Sequence, residues 1–413
     1  LDRKHGLKTA GLISGYRGSP LGAYDQQLWK AAKELKAHDI VFQPGLNEDL
    51  AATALWGAQM HRAYGTTRVD GVFGVWYGKG PGVDRTGDVF RSANVLGTSP
   101  LGGVLAVSGD DHAAQSSMYP HHTDGIFQSA SIPVIQPASV EDVISFGLAG
   151  FALSRFSGLW VSLKTIAEVV ETAASIDLGP LPSFVLPQDF QVPAHGLNWD
   201  PNVAWPGQRA ELERRLLEER LPAARAWARA NQLDRVVIAA PQRRLGIISV
   251  GKAHQDLMQA IADLELSQSD LQARGISIYK VAMSWPLETV GALDFAQGHQ
   301  ELFILEEKRS NVETQLKDAL YHRPASERPR VTGKTDDRGA PAVPEVSEFS
   351  ALMIARALVA RAHANGITAP VLAQRLAKLE ERVQPVVSAV IPIRRPYFCA
   401  GCPHNTSTRT PDG

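Results

Sequence analysis

Cysteine is nearly absent: the 413 residues contain two, Cys399 and Cys402, both near the end of the chain. Two cysteines so close together cannot staple a fold, which excludes a disulfide framework and leaves stability to a buried apolar core. No apolar run reaches the roughly 18 to 20 residues of a membrane-spanning helix, and no charged-then-apolar signal segment opens the chain, so it reads as cytoplasmic. Charge of one sign is not in excess either. With 42 basic and 43 acidic residues the formal net charge is -1, which provides no global attraction for nucleic acid or an anionic membrane. No internal repeat or low-complexity tract is evident. What remains is 44% hydrophobic and 21% charged sequence, long enough for two or three globular domains. The chain starts at Leu1 and its last residues show no terminating element, as expected of a piece of something longer.

Residues 9 to 165 repeat one pattern: an apolar, β-rich run, a glycine-rich loop, then an amphipathic helix. That order predicts an α/β fold of parallel strands joined by crossover helices. Ligands in such sheets bind outside the carboxyl ends of the strands, and two glycine-rich loops fall there. One is Gly15-Tyr16-Arg17-Gly18-Ser19-Pro20-Leu21-Gly22, the other Gly78-Lys79-Gly80-Pro81-Gly82. The first is neither a dinucleotide GxGxxG nor a phosphate-binding P-loop and could equally be a plain strand-to-helix turn. Asp110, Asp111, His112, His121, His122 and Asp124 crowd one further strand end. They lack the fixed spacing of metal ligands and suit a polar loop with a titratable histidine, or a solvated one.

Between the two glycine-rich loops lies Phe42-Gln43-Pro44-Gly45-Leu46-Asn47-Glu48-Asp49-Leu50. It reads as a strand end, a Pro-Gly turn and a helix whose N-cap is Asn47. Glu48 and Asp49 in its first turn complement the helix dipole, so capping alone accounts for both carboxylates. A proline-rich stretch from 180 to 206 predicts a boundary, and residues 210 to 231 a charged helix with a solvated face. Residue 245 opens a second α/β unit with strands near 277 to 281 and 301 to 306. A linker from 323 to 346 and a helical segment from 349 to 381 follow. The final CxxC suits redox chemistry, zinc or half of an iron–sulfur site. A cluster normally takes four ligands, so such a site would be completed beyond Gly413.

Six stretches, in order, resemble the indolepyruvate ferredoxin oxidoreductases, in particular the long fused form. They are GYRGSPLG (15–22), FQPGLNEDLAATALWG (42–57), WYGKGPGVDRTGDVFR (76–91), GDDH (109–112), ISVGKAHQDLMQAI (248–261) and FCAGCPHNTST (398–408). The resemblance implies a thiamine diphosphate-dependent 2-oxoacid oxidoreductase. It implies a pyrimidine-binding domain over 1–190, a linker and charged helix over 191–240, and a transketolase carboxyl-terminal-like domain over 241–330. A linker and helical segment over 331–395 and the start of the diphosphate-binding, iron–sulfur domain over 396–413 complete the expected organisation.

By the same resemblance Glu48 is the catalytic carboxyl, which shifts the cofactor's aminopyrimidine into its imino tautomer. Gly80, Pro81 and Gly82 lie beside the pyrimidine, Tyr16, Arg17, Ser19 and His112 handle substrate, and Cys399 and Cys402 ligate a 4Fe-4S cluster. The implied reaction converts an aryl or branched 2-oxo acid to its acyl-CoA and passes the electrons to ferredoxin, in a homo-oligomer. The family's Mg2+ and diphosphate site lies in a GDG…N segment that residues 1 to 413 lack, so this piece alone is expected to be inactive. A non-catalytic assembly subunit would share the fold and the missing motif. A transketolase-like transferase would share the fold and lack the CxxC.

Overall fold

The computed structural model describes residues 2–65, 67–180, 182–203, 207–368, 370–382 and 397–410. Parts of the expected 180–206 boundary and 331–395 segment, with Pro396 and residues 411–413 of the tail, lie outside the described residues.

The apolar runs of the first half form six strands: β1 (Thr9–Gly15), β2 (Ile40–Phe42), β3 (Gly71–Lys79), β4 (Val104–Asp110), β5 (Val134–Ile135) and β6 (Val161–Ile166). They pair in parallel in the order β5-β6-β4-β3-β1-β2. Unbroken apolar runs suit strands covered on both faces, and β6 buries every residue, a lysine included. The second half supplies β7 (Arg235–Ile238), β8 (Leu245–Val250), β9 (Ile276–Val281), β10 (Met283–Trp285), β11 (Glu301–Leu305) and β12 (Arg330–Thr332). Five of these make a second sheet in the order β12-β11-β8-β9-β7, parallel except for the β7–β9 pair. β10 instead crosses over and pairs antiparallel with β5, extending the first sheet to seven strands. The two sheets are therefore physically joined.

Three of these strands, β7, β10 and β12, are too short for periodicity to reveal, and β12 sits inside a stretch whose composition predicts a linker. The helical segment after residue 350 packs its buried face (Ile354, Ala355, Leu358, Ala362) into one core with Leu245, Ile247 and Leu257. Arg361 pins it with a bidentate ion pair of 2.6 and 2.7 Å to Glu301, at the start of β11. Among the described residues no helix is long and apolar enough to cross a membrane.

The charged helix differs from its solvated expectation. It runs as Arg209–Arg214, a π-helical turn Arg215–Arg220, and Leu221–Ala230. Its inner face buries Leu212, Leu216, Leu221, Ala224 and Trp227, the last four against Leu153 and Leu159. The surprise is Arg220, only 2% exposed. Its guanidinium donates to the carbonyls of Leu197 (2.7 Å), Val95 (2.9 Å) and Leu96 (3.1 Å), and so satisfies the end of the Gly87–Leu96 helix. Gly97, at φ 94°, leaves the room: a Cβ there would come within 2.8 Å of the guanidinium. Burial pulls the Arg220 pKa down to about 10, still charged at neutral pH, and the negative end of a helix is where a cation is favoured. Arg220→Ala strands these carbonyls in the core and is expected to cost about 3 kcal/mol, read as a lowered urea midpoint. Arg220→Lys, which reaches fewer carbonyls, should fall between.

Candidate active site

Glu48 is held from three sides. The turn before it is stitched to the end of β1, with the Gln43 and Gly45 amides donating to the carbonyls of Ile13 and Gly15, each at 2.9 Å. Asn47 caps the Glu48–Gln59 helix by accepting from the Leu50 amide at 2.9 Å, as its sequence position predicts. The indole of Trp76, buried on β3, donates to the Glu48 carbonyl at 3.0 Å. The residue is 7% exposed, and among the described residues no donor hydrogen-bonds its carboxyl, whose oxygens stay open to solvent. A carboxyl fixed in place with no donor spent on it is free to meet a ligand.

The second glycine-rich stretch wraps this carboxyl. A Cβ on Gly82 would lie 2.5 Å from Glu48 Cγ and 2.7 Å from its Oε1, and one on Gly80 would lie 2.2 Å from His121 Nδ1. At both positions another side chain fills the space that a Cβ would take. The stretch is not a loop as the glycines suggest: a short helix, Gly80–Arg85, already begins there. Pro81 explains it, since its fixed φ and missing N–H are both tolerated in a first helical turn. Arg85 returns to pair with Asp49 at 2.7 Å, beside Glu48.

The 15–22 loop emerges next to Glu48 through the Gly15–Gly45 bond. Tyr16 is 42% exposed. Arg17 is exposed and steadied through its Nε by the buried carboxylate of Asp25 at 3.1 Å. Ser19 accepts a hydrogen bond from the hydroxyl of Ser116 at 2.7 Å. Tyr16, Arg17 and Ser19 thus share one loop beside Glu48.

His112 is placed differently, at the junction of the two sheets, where it is 2% exposed. Its Nδ1 meets Glu307 Oε2 at 2.6 Å, and Lys308 Nζ donates to its carbonyl. The other Glu307 oxygen accepts from Lys252 at 3.1 Å and from the Phe349 amide at 2.6 Å. Burial works against charge on Glu307, but these partners outweigh it and take its pKa down to about 2. Behind His112, the Lys164 ammonium of β6 meets Asp124 and, at 3.5 Å, Asp110. Asp124 also meets His122 Nε2 at 3.1 Å and accepts from Gln136 at 2.7 Å. Burial, and then Lys164, push His122 down to about 3, so its imidazole is neutral at physiological pH. A cavity of about 840 Å3 opens here, lined among others by Asp84, His121, His122, Lys308 and Arg309. Lys164, Lys252 and Glu307 escape sequence reasoning because they lie far apart in the chain. The one available signal is Glu306-Glu307-Lys308-Arg309, a run of charge directly after an apolar strand.

In the tail, Cys399 is exposed and Cys402 half-buried, with both thiols free. The Cys402 amide donates to the Cys399 carbonyl at 3.0 Å, so the thiols share one turn, and Cys402 Sγ lies 3.2 Å from His404 Nδ1. Two thiolates on one turn fit two positions of a four-ligand cluster. Among the described residues no group of three or more His, Cys, Asp or Glu could hold a metal ion.

The fold defines a class. The chain superposes on a 2-oxoglutarate:ferredoxin oxidoreductase from Magnetococcus marinus with a TM-score of 0.55 at 15% identity, over 86% of this chain and 62% of that one. It also superposes on a split-gene transketolase with a TM-score of 0.51 at 10% identity, over 85% and 92%. The chain shares its α/β architecture with both. Residues 234–392 match the family model described as the indolepyruvate ferredoxin oxidoreductase middle domain. The subunit IorA of indolepyruvate oxidoreductase from Methanothermobacter marburgensis is 24% identical over 406 residues, 95% of this chain and 56% of that protein. Its Pyrococcus abyssi counterpart is 25% identical over 328 residues, 79% and 46%. The chain is similar to these indolepyruvate oxidoreductase subunits and spans about half the length of the curated proteins it matches.

Half-buried His122 and buried His254 and His299 make acid sensitivity testable. His122 falls from 6.5 to about 3, and burial likewise takes His254 and His299 to about 4. Below pH 6.5 the unfolded chain takes up protons that the folded chain refuses. The stability they contribute is therefore complete above that pH and is lost as pH falls toward 3. Melting temperature should drop between pH 6.5 and 4, and His122→Asn should flatten that slope.

Proposed function

We propose that this chain carries the cofactor-activating part of a thiamine diphosphate-dependent 2-oxoacid:ferredoxin oxidoreductase. The substrate is an aryl or branched 2-oxo acid of the indolepyruvate type, coenzyme A takes the acyl group, and ferredoxin takes the electrons. The observation that carries the reading is the Glu48 carboxyl: on a residue only 7% exposed, unpartnered among the described residues, and pressed against Gly82 at the carboxyl ends of β1 and β3. The relatives named indolepyruvate oxidoreductase support the reaction class. The neighbouring structure, a 2-oxoglutarate:ferredoxin oxidoreductase with 2-oxoglutarate, coenzyme A and succinyl-CoA bound, supports the substrate classes.

Thiamine diphosphate, when bound, supplies the electron sink that lets a 2-oxo acid lose carbon dioxide. The protein's part is positional and electrostatic. With the cofactor bound, Glu48 would share a proton between its carboxyl and a nitrogen of the cofactor's pyrimidine, the exchange that general acid–base catalysis uses. The backbone of Gly80, Pro81 and Gly82 would wall that ring. Arg17 supplies a cation and Ser19 a hydroxyl for the substrate carboxylate, and exposed Tyr16 offers an aromatic edge. His112 has Nδ1 engaged by Glu307, which leaves Nε2, unpartnered among the described residues, as the nitrogen free for substrate.

In this reading residues 1–190 are the pyrimidine-binding domain and 241–330 the transketolase carboxyl-terminal-like domain, with 191–240 and 331–395 connecting. Residues 396–413 begin the domain that binds Mg2+, the diphosphate and a 4Fe-4S cluster, to which Cys399 and Cys402 contribute two ligands. The complete protein is a cytoplasmic homo-oligomer, and this chain by itself is inactive.

Glu48→Gln in the complete enzyme should lower 2-oxo acid-dependent reduction of ferredoxin by at least about a hundredfold while the melting temperature holds. Turnover near that of the unmodified enzyme would remove Glu48 from its role. Gly82→Ala should weaken thiamine diphosphate binding, since its Cβ would displace the carboxyl, and titration of the cofactor reads this directly. Cys399→Ser should lose bound iron and the broad visible absorbance of a cluster, and unchanged iron content would sink the ligand assignment.

A further inference from the structure

We infer that Ser116 is a positioning residue, which turns the Ser19 hydroxyl into a committed donor for the substrate carboxylate. The inference rests on the 2-oxo acid reading above. Ser116 lies 97 residues from Ser19, on the loop after β4, and its hydroxyl donates to Ser19 Oγ at 2.7 Å. Asp111 fixes that loop at its root. Its carboxylate accepts the amides of Gln115 (2.9 Å), Ser116 (2.8 Å) and Ser117 (3.0 Å). Some burial opposes charge on Asp111, yet the three amides hold its carboxyl below the usual range, so it stays anionic and can only accept.

The proton count then decides the direction of the chain. Ser116 has one hydroxyl proton and two oxygens in reach, Ser19 Oγ at 2.7 Å and Asp111 Oδ2 at 3.3 Å. Asp111 Oδ2 already accepts two amides, and the contact to Ser19 is much the shorter. Giving the proton to Ser19 occupies one of its lone pairs and leaves its own O–H for an external acceptor. A carboxylate is the acceptor that this donor suits, and Arg17, two residues earlier and steadied by Asp25, supplies the matching positive charge. Hydroxyls in series polarise one another, so a Ser19 that receives a hydrogen bond donates a stronger one. The contact also locks the 113–122 loop against the 15–22 loop, so the receptor is assembled before substrate arrives.

The test uses the complete enzyme with thiamine diphosphate, coenzyme A and ferredoxin. Ser116→Ala should raise the KM for the 2-oxo acid about tenfold while kcat and the KM for coenzyme A stay within about twofold. Ser116→Thr, which keeps the hydroxyl, should restore the low KM. Ser19→Ala should raise the same KM, and adding Ser116→Ala to it should do nothing further, because the two residues act as one unit. A merely structural role would instead move kcat, both KM values and the melting temperature together, and would overturn the inference. So would an unchanged KM in Ser116→Ala within an enzyme that turns over 2-oxo acids, with the reaction itself left standing. Failure of the unmodified enzyme to reduce ferredoxin with any 2-oxo acid would overturn the reaction and this inference together.

Discussion

Glu307 is the carboxylate that ties the two sheets together, and the geometry of the candidate site depends on that tie. One oxygen faces His112 of the first sheet at 2.6 Å, and the other faces Lys252 and the Phe349 amide of the second unit. A buried carboxylate is costly unless it is saturated with partners, and these partners come from places that meet only in the folded chain. The same constraint governs Lys164, whose ammonium is tolerated inside a fully buried strand because Asp110 and Asp124 flank it. The carboxyl ends of β4 and β6 are thereby held against those of β8 and β11, and the large cavity lies along this seam.

Glu48 obeys a complementary rule. The junction pairs its charges, whereas the Glu48 carboxyl is left without a donor among the described residues, its position set by the absence of a Cβ on Gly82. Trp76 and Asn47 hold the backbone and the helix start, so the carboxyl is placed without being used up. Structural residues spend their hydrogen-bonding capacity within the protein, and a residue that is positioned yet unspent is available for chemistry.

Much of the first sheet was legible in the sequence. Long apolar runs in alternation with helices announce parallel strands, and the Asn47 cap and the Glu48 helix start stand as their capping chemistry requires. The short strands β7, β10 and β12 were not, because a run of three or four residues carries too little periodicity to separate strand from loop. The 268–274 helix is too short for its periodicity to show, and its one local signal is the capping box of Ser267 and Asp270. The charged helix misled for a different reason. Counting charges on a helix does not show which arginine turns inward, and Arg220 does so because unsatisfied helix-end carbonyls await it.

The amino-acid sequence by itself determined the class of fold, the two glycine-rich strand ends, the capped acidic helix start and the paired cysteines, all of them local patterns. Only the tertiary structure decided that Gly82 meets Glu48, that Ser116 meets Ser19, that β10 leaves its own unit to extend the other sheet, and that His112 faces Glu307. Each of these joins residues far apart in the chain. Such contacts are set by how sheets pack and where buried charge can be neutralised, and propensity and spacing carry no information about either.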